Sequence, residues 1–400
     1  MRQLHEFAIR GGRPAFAEKL HVAQVNLPDR EPLESMIRGI FARRFFANHG
    51  PLVAELEDRF AAAVGVEHAV CVTNATVGLI ILAAALELEG AVVVPAFTFP
   101  ASVQAIRWAG LRPVLCDVDP RTHMLSADTV APLLGADVAA ILGVHLWGHC
   151  CPVAELADLA DRHDVALFFD ACHGIGCRRA GHAIGGFGAG EVFSFHATKV
   201  LNAAEGGCIT TNDRRLADRL RTMRNFHAAH TFVADVPRMN AKMSEIQAGL
   251  ALLSLEQLPE NVAANQRRFA AYASGLAGLA GVHLVQPPDA PGDTTNYQYV
   301  VVEIDPLQTG IDRDRLMAVL HAENVVCRRH FFPGLHRMPG EADACAGRML
   351  PITDTLAGRA MQLPNAQHMS TGTVAMVCEI IRDALRHADA LRACRREDEP

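Results

Sequence analysis

Short apolar runs alternate with helix-like stretches along the first half of the chain. Seven runs predict β-strands, at residues 68–73, 91–94, 113–118, 139–145, 165–170, 191–195 and 207–211. The runs are predominantly apolar and do not alternate regularly with polar residues, which is typical of strands covered on both faces. Helix-like stretches, such as 52–64 and 153–163, lie between the runs. The alternation predicts an α/β fold with a mostly parallel seven-stranded sheet flanked by helices.

The hydrophobic pattern changes after Asp213. Helical periodicity recurs at residues 244–258, 265–276, 313–323 and 371–387, and strand-like runs occur at 297–304 and 325–331. We therefore predict an N-terminal segment over residues 1–30, a large α/β domain over 31–255 and a smaller α+β domain over 256–395.

Composition sets broad limits on function. Hydrophobic residues make up 50% of the 400 residues and charged residues 20%, which suits a globular protein with a sizeable core. The net charge of −7 lacks the dense positive field that a nucleic-acid partner needs. The sequence has no signal-peptide pattern and no apolar run of membrane-spanning length, and its eleven cysteines are scattered as in reduced cytosolic enzymes. We expect a soluble cytoplasmic protein with neither a nucleic-acid nor a membrane partner.

Four residues with metal-binding side chains lie close together in the sequence: His145, His149, Cys150 and Cys151. Structural zinc sites usually combine two such clusters at regular spacing, and no second cluster follows here. We therefore expect no bound metal.

Two residues between positions 170 and 207 carry the strongest chemical signal. Asp170 ends the apolar run VALFFD, and ligands of open parallel sheets collect at the carboxyl ends of strands. A carboxylate at that point can bind a ligand, or it can cap the next helix. Lys199 lies in FSFHATKVLNAAEGG, between a strand and a Gly-rich turn. Most lysines are solvated surface charges, but a partly desolvated lysine loses its proton readily and attacks aldehydes.

Two further segments suit a flat, phosphorylated cofactor. Residues 73–76, TNAT, end a predicted strand and begin a helix, where free N–H groups favour a phosphate, although these residue types also serve as ordinary caps. The aromatic rings of Phe97 and Phe99 follow the next strand and can stack on a cofactor or pack in the core. A carboxylate, a lysine, a helix start and an aromatic ring are together what pyridoxal 5′-phosphate (PLP) requires.

The sequence resembles the DegT/DnrJ/EryC1/StrS sugar aminotransferases, which have the aspartate-aminotransferase-like architecture (PLP fold type I). The resemblance runs from about residue 48 to residue 364 and is most specific in VVVPAFTFPAS, GVHLWGH, DACHGIG, FSFHATKVLNAAEGG and KMSEIQAGL. It implies that Lys199 forms the Schiff base with PLP, that Asp170 contacts the ring nitrogen, and that His173 lies beside the ring. These three residues are the expected catalytic residues.

The resemblance also implies which residues bind the rest of the cofactor. Phe99 is expected to stack on the ring. Ala75, Thr76 and Ser194 are expected to bind the phosphate, with Ala75 in place of the glycine that is usual in the family. An alanine preserves a backbone N–H contact if its φ is negative.

Further binding residues are implied at the subunit boundary and the substrate site. Asn240 is expected to reach the phosphate of the neighbouring subunit, because family members are homodimers with shared active sites. Lys242 stands where arginine is common and lacks its bidentate fork. The candidate substrate contacts are Glu205, Arg328, Arg329 and His330. The last three could also form a solvated strand edge, since arginine suits both a phosphate and water.

The implied reaction transfers an amino group from L-glutamate to a nucleotide-linked keto sugar, with PLP and pyridoxamine 5′-phosphate alternating as the cofactor. The motifs FHATK and EGG most resemble those of family members that act on dTDP-4-keto-6-deoxyhexoses. The alternatives are a cyclitol-ketone aminotransferase, a PLP-dependent deoxysugar dehydratase and a non-catalytic protein of the same fold. Dehydratases of this type replace the Schiff-base lysine, commonly with histidine, so Lys199 favours transamination.

Overall fold

The computed structural model describes residues 2–22, 26–226, 233, 236–287, 290–345 and 347–392. The strands are β1 (Leu20–His21), β2 (His68–Val72), β3 (Ala91–Pro95), β4 (Arg112–Cys116), β5 (Val138–Val144), β6 (Ala166–Asp170), β7 (Arg178–Arg179), β8 (His182–Ala183), β9 (Glu191–Ser194), β10 (Gly207–Thr211), β11 (Val282–Leu284), β12 (Val300–Ile304), β13 (Val325–Val326) and β14 (Ala360–Leu363).

The α-helices are α1 (Arg30–Arg43), α2 (Pro51–Val64), α3 (Ala75–Ala85), α4 (Pro100–Trp108), α5 (Ala127–Val130), α6 (Val153–His163), α7 (Arg214–Met223), α8 (Glu245–Glu256), α9 (Leu258–Leu276), α10 (Pro306–Thr309), α11 (Arg313–Ala322), α12 (Pro351–Arg359), α13 (Thr371–Arg386) and α14 (Ala388–Arg392). Single 3₁₀ turns occur at Leu4–Glu6, Ala8–Arg10, Ala131–Leu133, Leu335–Arg337 and Ala342–Cys345.

The large sheet has the strand order β2-β10-β9-β6-β5-β3-β4. Strand β10 runs antiparallel to both of its neighbours, and the other four pairings are parallel. A parallel neighbour needs a crossover connection, usually a helix, whereas residues 195–206 between β9 and β10 form only turns and bends. The predicted mostly parallel seven-stranded sheet is confirmed, and each strand begins and ends within two residues of its prediction.

Both faces of this sheet are buried, which explains why its strands lack polar alternation. On one face, residues such as Val93 and Phe169 pack against α2, α6 and α8. On the other face, neighbouring residues such as Val92 and Phe168 pack against α3, α4 and α7. Because successive side chains of a strand point to opposite faces, helices on both sides require an apolar residue at almost every position.

A second, antiparallel sheet has the order β11-β12-β14. Its residues share an apolar cluster with α9, α11 and α13, and Phe7 near the N-terminus joins that cluster. The sequence pattern misses β11, α12 and β14, which are short, and predicts too long a strand at residues 325–331, where only β13 forms. The proposed division at residues 31–255 and 256–395 stays a prediction. No helix within the described ranges combines the length and hydrophobicity of a membrane span.

Candidate active site

A cavity of about 310 Å³ opens at the carboxyl ends of β5, β6 and β9. Parallel strands deliver their last residues and the following loops to one edge of a sheet, so this is where a ligand site is expected. The walls bring together ten residues that the sequence indicated: Ala75, Thr76, Phe99, Asp170, His173, Ser194, Lys199, Glu205, Arg328 and His330. Residues up to 255 positions apart in the sequence, Ala75 and His330, therefore meet in one cavity.

Asp170 is a buried carboxylate whose orientation is fixed from two sides. Its Oδ2 accepts a hydrogen bond from the Ser102 hydroxyl at 2.8 Å, and its Oδ1 accepts one from the Cys172 backbone N–H at 3.1 Å. Thr98 Oγ1 lies 3.2 Å from Ser102 Oγ and extends this network. These contacts fix the orientation of the Asp170 carboxyl group in the cavity wall.

Lys199 lies in the loop after β9, and its ammonium group points into the same cavity. Its Nζ donates a hydrogen bond to the Tyr299 hydroxyl at 2.9 Å. Burial alone would lower the pKa of Lys199, but Tyr299, Cys172 and Asp170 outweigh it and raise that pKa above its ordinary value. The amine is thus held by protein groups that favour its protonated form.

Two neutral imidazoles stand beside Lys199. Burial, together with the charge of Lys199, holds the pKa of His173 well below its usual range, and burial with Arg328 lowers the pKa of His330 to about 4. The His173 ring stacks on the Tyr299 ring, with their centroids 4.0 Å apart. Among the described residues, Nδ1 of each histidine is buried without a hydrogen-bond partner. Both rings therefore present a free polar atom at or near the cavity wall.

The start of helix α3 forms an anion-binding corner. Asn74 caps the helix by accepting a hydrogen bond from the Val77 N–H at 2.9 Å, which leaves the N–H groups of Ala75 and Thr76 in the first turn. Gly207 lies so close that a Cβ there would come within 2.8 Å of the Ala75 nitrogen. Ala75 is the first residue of the helix, and its φ is not positive. Its methyl group is therefore tolerated where the family usually has glycine.

The remaining predicted residues lie at the rim. Phe99 precedes α4 and keeps 57% of its surface exposed. Glu205 is exposed and its Oε1 lies 3.6 Å from His196 Nε2. Arg328 is exposed, while Ser194 is buried at the end of β9. The exposed groups leave the mouth of the cavity polar and accessible.

Two predicted residues lie outside the cavity walls. Asn240 is exposed, and among the described residues its side chain is hydrogen-bonded only to Lys242, two positions further along the chain. Arg329 lies over the Phe332 ring at 4.8 Å and near Asp314, with an N–O distance of 3.6 Å. Side chains of an extended segment alternate in direction, so Arg329 points away while its two neighbours line the cavity. The roles assigned to both residues stay predictions.

Three residues that shape the site were not predicted from the sequence: Ser102, Tyr299 and Gln298. Ser102 lies in the first turn of α4 in no recognisable motif, and its partner Asp170 is 68 positions away. Tyr299 and Gln298 contact the Lys199 loop from about 100 positions away. A contact between such distant residues has no local pattern, although the polar residues in NYQYVVVEI at the start of a buried strand offered a hint.

The His145 region is a buried hydrogen-bond network. His145 Nε2 lies 3.1 Å from Glu191 Oε2, and Nδ1 accepts a hydrogen bond from the Cys151 N–H at 3.0 Å. Burial alone lowers the pKa of His145, but Cys150 and Glu191 raise it to about 10. Within the described ranges, no three His, Cys, Asp or Glu side chains are grouped to hold a metal ion.

The geometry fits PLP. The donor set is a lysine amine, a fixed carboxylate and an open helix N-terminus around one cavity, and the unpartnered Nδ1 of His173 is available to a ring substituent. The fold and the site together define the class of PLP-dependent enzymes with the aspartate-aminotransferase architecture.

The DegT/DnrJ/EryC1/StrS aminotransferase family model matches residues 29–382, and the chain belongs to that family. It is a PLP-dependent aminotransferase. It is 28% identical over 366 residues to dTDP-4-amino-4,6-dideoxy-D-glucose transaminase of Shigella dysenteriae, covering 91% of this chain and 98% of that relative. It is 33% identical over 295 residues to GDP-perosamine synthase of Caulobacter vibrioides, covering 72% and 78%.

Two solved structures of relatives have the same fold as this chain. A crystal structure of DesI in the presence of its TDP-sugar product matches with a TM-score of 0.92 and 40% identity, covering 98% of this chain and 99% of that one. A structure of DesV from S. venezuelae with a ketimine intermediate matches with a TM-score of 0.82 and 27% identity, covering 91% and 99%. The aspartate-aminotransferase-like fold predicted from the resemblance is thereby confirmed.

Proposed function

We propose that this aminotransferase moves an amino group from L-glutamate to a nucleotide-linked keto sugar, specifically a dTDP-4-keto-6-deoxyhexose. The observation that carries the proposal is the meeting of Lys199 and Asp170 in one cavity at the strand ends. The choice of sugar is supported by the similarity to DesI, whose structure holds a TDP-sugar product, and to a dTDP-sugar transaminase. These relatives do not favour the cyclitol and dehydratase alternatives.

Each cavity residue has a defined task in this proposal. When bound, PLP supplies an electron sink and carries the amino group between the two substrates. Lys199 would hold the cofactor covalently and, once released, would take and return the proton at the reacting carbon. Asp170, oriented by Ser102, would sit against the ring nitrogen and keep it protonated.

The phosphate and the ring need further contacts. Ala75 and Thr76 would bind the phosphate through their N–H groups at the start of α3, with the Ser194 hydroxyl beside them. His173, held neutral by burial, would lie against one face of the ring. Phe99 would cover the opposite face. Its 57% exposure in the single chain is compatible with a ring that becomes buried only against a bound cofactor or a partner subunit.

The substrate would enter over the polar rim. Arg328 and His330 are suited to the pyrophosphate and sugar, and Glu205 to a sugar hydroxyl. The homodimer with shared sites is part of the proposal, because exposed Asn240 would complete the phosphate site of the neighbouring subunit. Arg329, which points away from the cavity, has no assigned contact. We also propose a cytoplasmic location, in keeping with the free thiols of the ten described cysteines.

The test is to incubate the protein with PLP, L-glutamate and a panel of ketones, and to detect products by mass spectrometry. The panel holds dTDP-4-keto-6-deoxyglucose, the corresponding GDP-linked 4-keto-6-deoxyhexose and a ketocyclitol. We expect the amino product from the dTDP sugar. Amination of only the GDP sugar or the cyclitol would overturn the substrate assignment, and loss of a sugar hydroxyl without gain of nitrogen would indicate a dehydratase.

Lys199→Ala provides the mechanistic control. The variant should form no product and no borohydride-stable adduct with PLP. The chain has only two other lysines, Lys19 and Lys242, and exposed Lys19→Ala is the matched control that should behave as wild type. Unchanged turnover by Lys199→Ala would refute the proposed role of that residue.

A further inference from the structure

We propose that residues 296–299, NYQY, position Lys199, with the Tyr299 hydroxyl holding the amine and the Gln298 amide holding the backbone on both sides of it. The inference deepens the proposed function and rests on it. These residues precede β12 of the smaller sheet, whereas Lys199 belongs to the loop between β9 and β10 of the large sheet. The segment is therefore a physical link between the second sheet and the reactive lysine.

Gln298 fixes the main chain around the lysine. Its Oε1 accepts a hydrogen bond from the Val200 N–H at 2.9 Å, and its Nε2 donates one to the Thr198 carbonyl. The side chain is nine-tenths buried, so water does not compete for either contact. The residues immediately before and after Lys199 are thus tied to one rigid amide, in a loop that has no helical or strand hydrogen bonding of its own.

Tyr299 fixes the tip of the lysine. Its hydroxyl is the only hydrogen-bond partner of Lys199 Nζ among the described residues, at 2.9 Å. The phenol cannot swing freely, because its ring is 7% exposed and stacks on His173 with an interplanar angle of 28°. Asn296 ties the same segment to the His173 loop by donating to the carbonyls of His173 and Ile175, both at 2.9 Å. The segment consequently holds the lysine and the neighbouring imidazole in one fixed relation.

A hydroxyl is chemically suited to this task. Burial raises the pKa of Tyr299, so the phenol stays neutral at neutral pH. A neutral hydroxyl can accept from an ammonium group and donate to a free amine, so it can remain bonded to Nζ in both protonation states. The titratable groups that face the lysine are Asp170, Cys172, His173, Tyr299 and His330. Of these, Tyr299 alone forms a hydrogen bond to the amine. Because that bond is stronger when the charged ammonium donates it than when the amine is neutral, removal of the hydroxyl disfavours the protonated form.

The test compares Tyr299→Phe with Tyr297→Phe in cofactor-free protein. Both variants lose one phenolic hydroxyl from the same segment, but Tyr297 packs on Phe269, with ring centroids 5.5 Å apart, and makes no contact with Lys199. The readout is the rate of Lys199 acetylation against pH, measured by peptide mass spectrometry with Lys19 and Lys242 as internal references. In Tyr299→Phe the midpoint for Lys199 should fall by about one to two pH units, a roughly tenfold to hundredfold change in its protonation equilibrium. Tyr297→Phe should leave it in place, and an identical midpoint in all three proteins would overturn the inference.

A second measurement needs no substitution of the tyrosine and so does not depend on how the variant folds. The chain contains only three tyrosines, Tyr272, Tyr297 and Tyr299, so protein grown with 3-fluorotyrosine should give three ¹⁹F signals. One signal should titrate with the same midpoint as Lys199 acetylation, and this step should vanish in Lys199→Ala. If none of the three ¹⁹F chemical shifts changes with the protonation of Lys199, the inference is overturned.

Kinetics separate this inference from the proposed function. Tyr299→Phe should lower kcat about tenfold or more and change KM for the sugar nucleotide little, because the hydroxyl contacts the lysine and not the rim. If Tyr299→Phe and Gln298→Leu both keep wild-type kcat while Lys199→Ala is inactive, the positioning role is refuted and the proposed function stands. If Lys199→Ala is itself fully active, the proposed function fails instead.

Discussion

The buried carboxylate of Glu57 allows a quantitative test of how the strand that leads to helix α3 is held in place. Glu57 lies on α2, where it pairs with buried Arg224 and accepts a hydrogen bond from the Cys71 N–H of β2 at 2.8 Å. His49 Nε2 lies 2.9 Å from its other oxygen. The next residues after β2 are those of the anion-binding corner, so Glu57 anchors the strand that leads to it.

The size of the contribution follows from the pKa. Burial alone would raise the pKa of Glu57, but Arg224, His49 and the Cys71 N–H lower it from 4.5 to about 2. A difference of this size corresponds to about 3 kcal/mol of folding free energy at neutral pH. Because the folded-state pKa lies below the unfolded value, this stabilisation is fully present above pH 4.5 and fades as the pH falls towards 2.

The perturbation is Glu57→Gln, which removes the charge and leaves Arg224 buried without a counter-ion. We expect a loss of about 3–5 kcal/mol in the free energy of unfolding at pH 7, measured by urea denaturation with circular dichroism. The difference from wild type should shrink between pH 4.5 and pH 3, since the Glu57 carboxyl of the unfolded wild-type chain takes up a proton there while that of the folded chain stays charged.

The matched control is Glu55→Gln on the same helix. Glu55 is half exposed and pairs with Arg59 at 3.3 Å, and exposed pairs are worth about 1 kcal/mol or less. The control should therefore change the free energy of unfolding little at any pH. A loss for Glu57→Gln that is the same at pH 3 and pH 7, or that matches the Glu55→Gln control, would refute the argument that the buried charge is the source.

Other predictions concern the site itself. Ser102→Ala removes the hydroxyl that orients the catalytic carboxylate, a charge-assisted bond worth about 1.5–3 kcal/mol, so kcat/KM should fall roughly tenfold to hundredfold in steady-state assays while the fold is retained. Arg328→Ala should raise KM for the sugar nucleotide about tenfold, whereas Arg329→Ala alters a residue outside the cavity and should leave KM near wild type. Equal effects of the two substitutions on KM would contradict the assigned directions of the two side chains. Inactive Lys199→Ala and weakened Asn240→Ala proteins should regain activity when they are mixed and allowed to exchange subunits, because one site of the hybrid dimer then has both native residues; no recovery despite exchange would argue against shared sites.

Local pattern was sufficient for the large sheet. Strands such as β3 and β5 are buried on both faces, so every residue in them has to be apolar, and their ends are marked by the first polar or Pro residue. The smaller sheet was harder to predict. Strand β14 has four residues and follows directly on α12, so no turn signal separates the two elements.

The meeting of Asp170 and Lys199 in one cavity could also be predicted from sequence, because both occur in motifs next to strand ends, which is a local property. The direction of each side chain could not be predicted in this way. The sequence does not show which of Arg328, Arg329 and His330 faces the cavity. In the structure, the extended segment directs Arg329 towards Phe332 and its two neighbours towards the cavity.

The sequence by itself determined the seven strands and the fold class, since each is encoded by neighbouring residues, and it predicted Lys199 and Asp170 as the lysine and carboxylate of the site. Only the tertiary structure decided what holds those two groups in place. Ser102 reaches Asp170 across 68 positions, and Tyr299 reaches Lys199 across 100. Such contacts depend on how the two sheets and their helices pack, and packing between distant segments leaves no periodic trace along the chain.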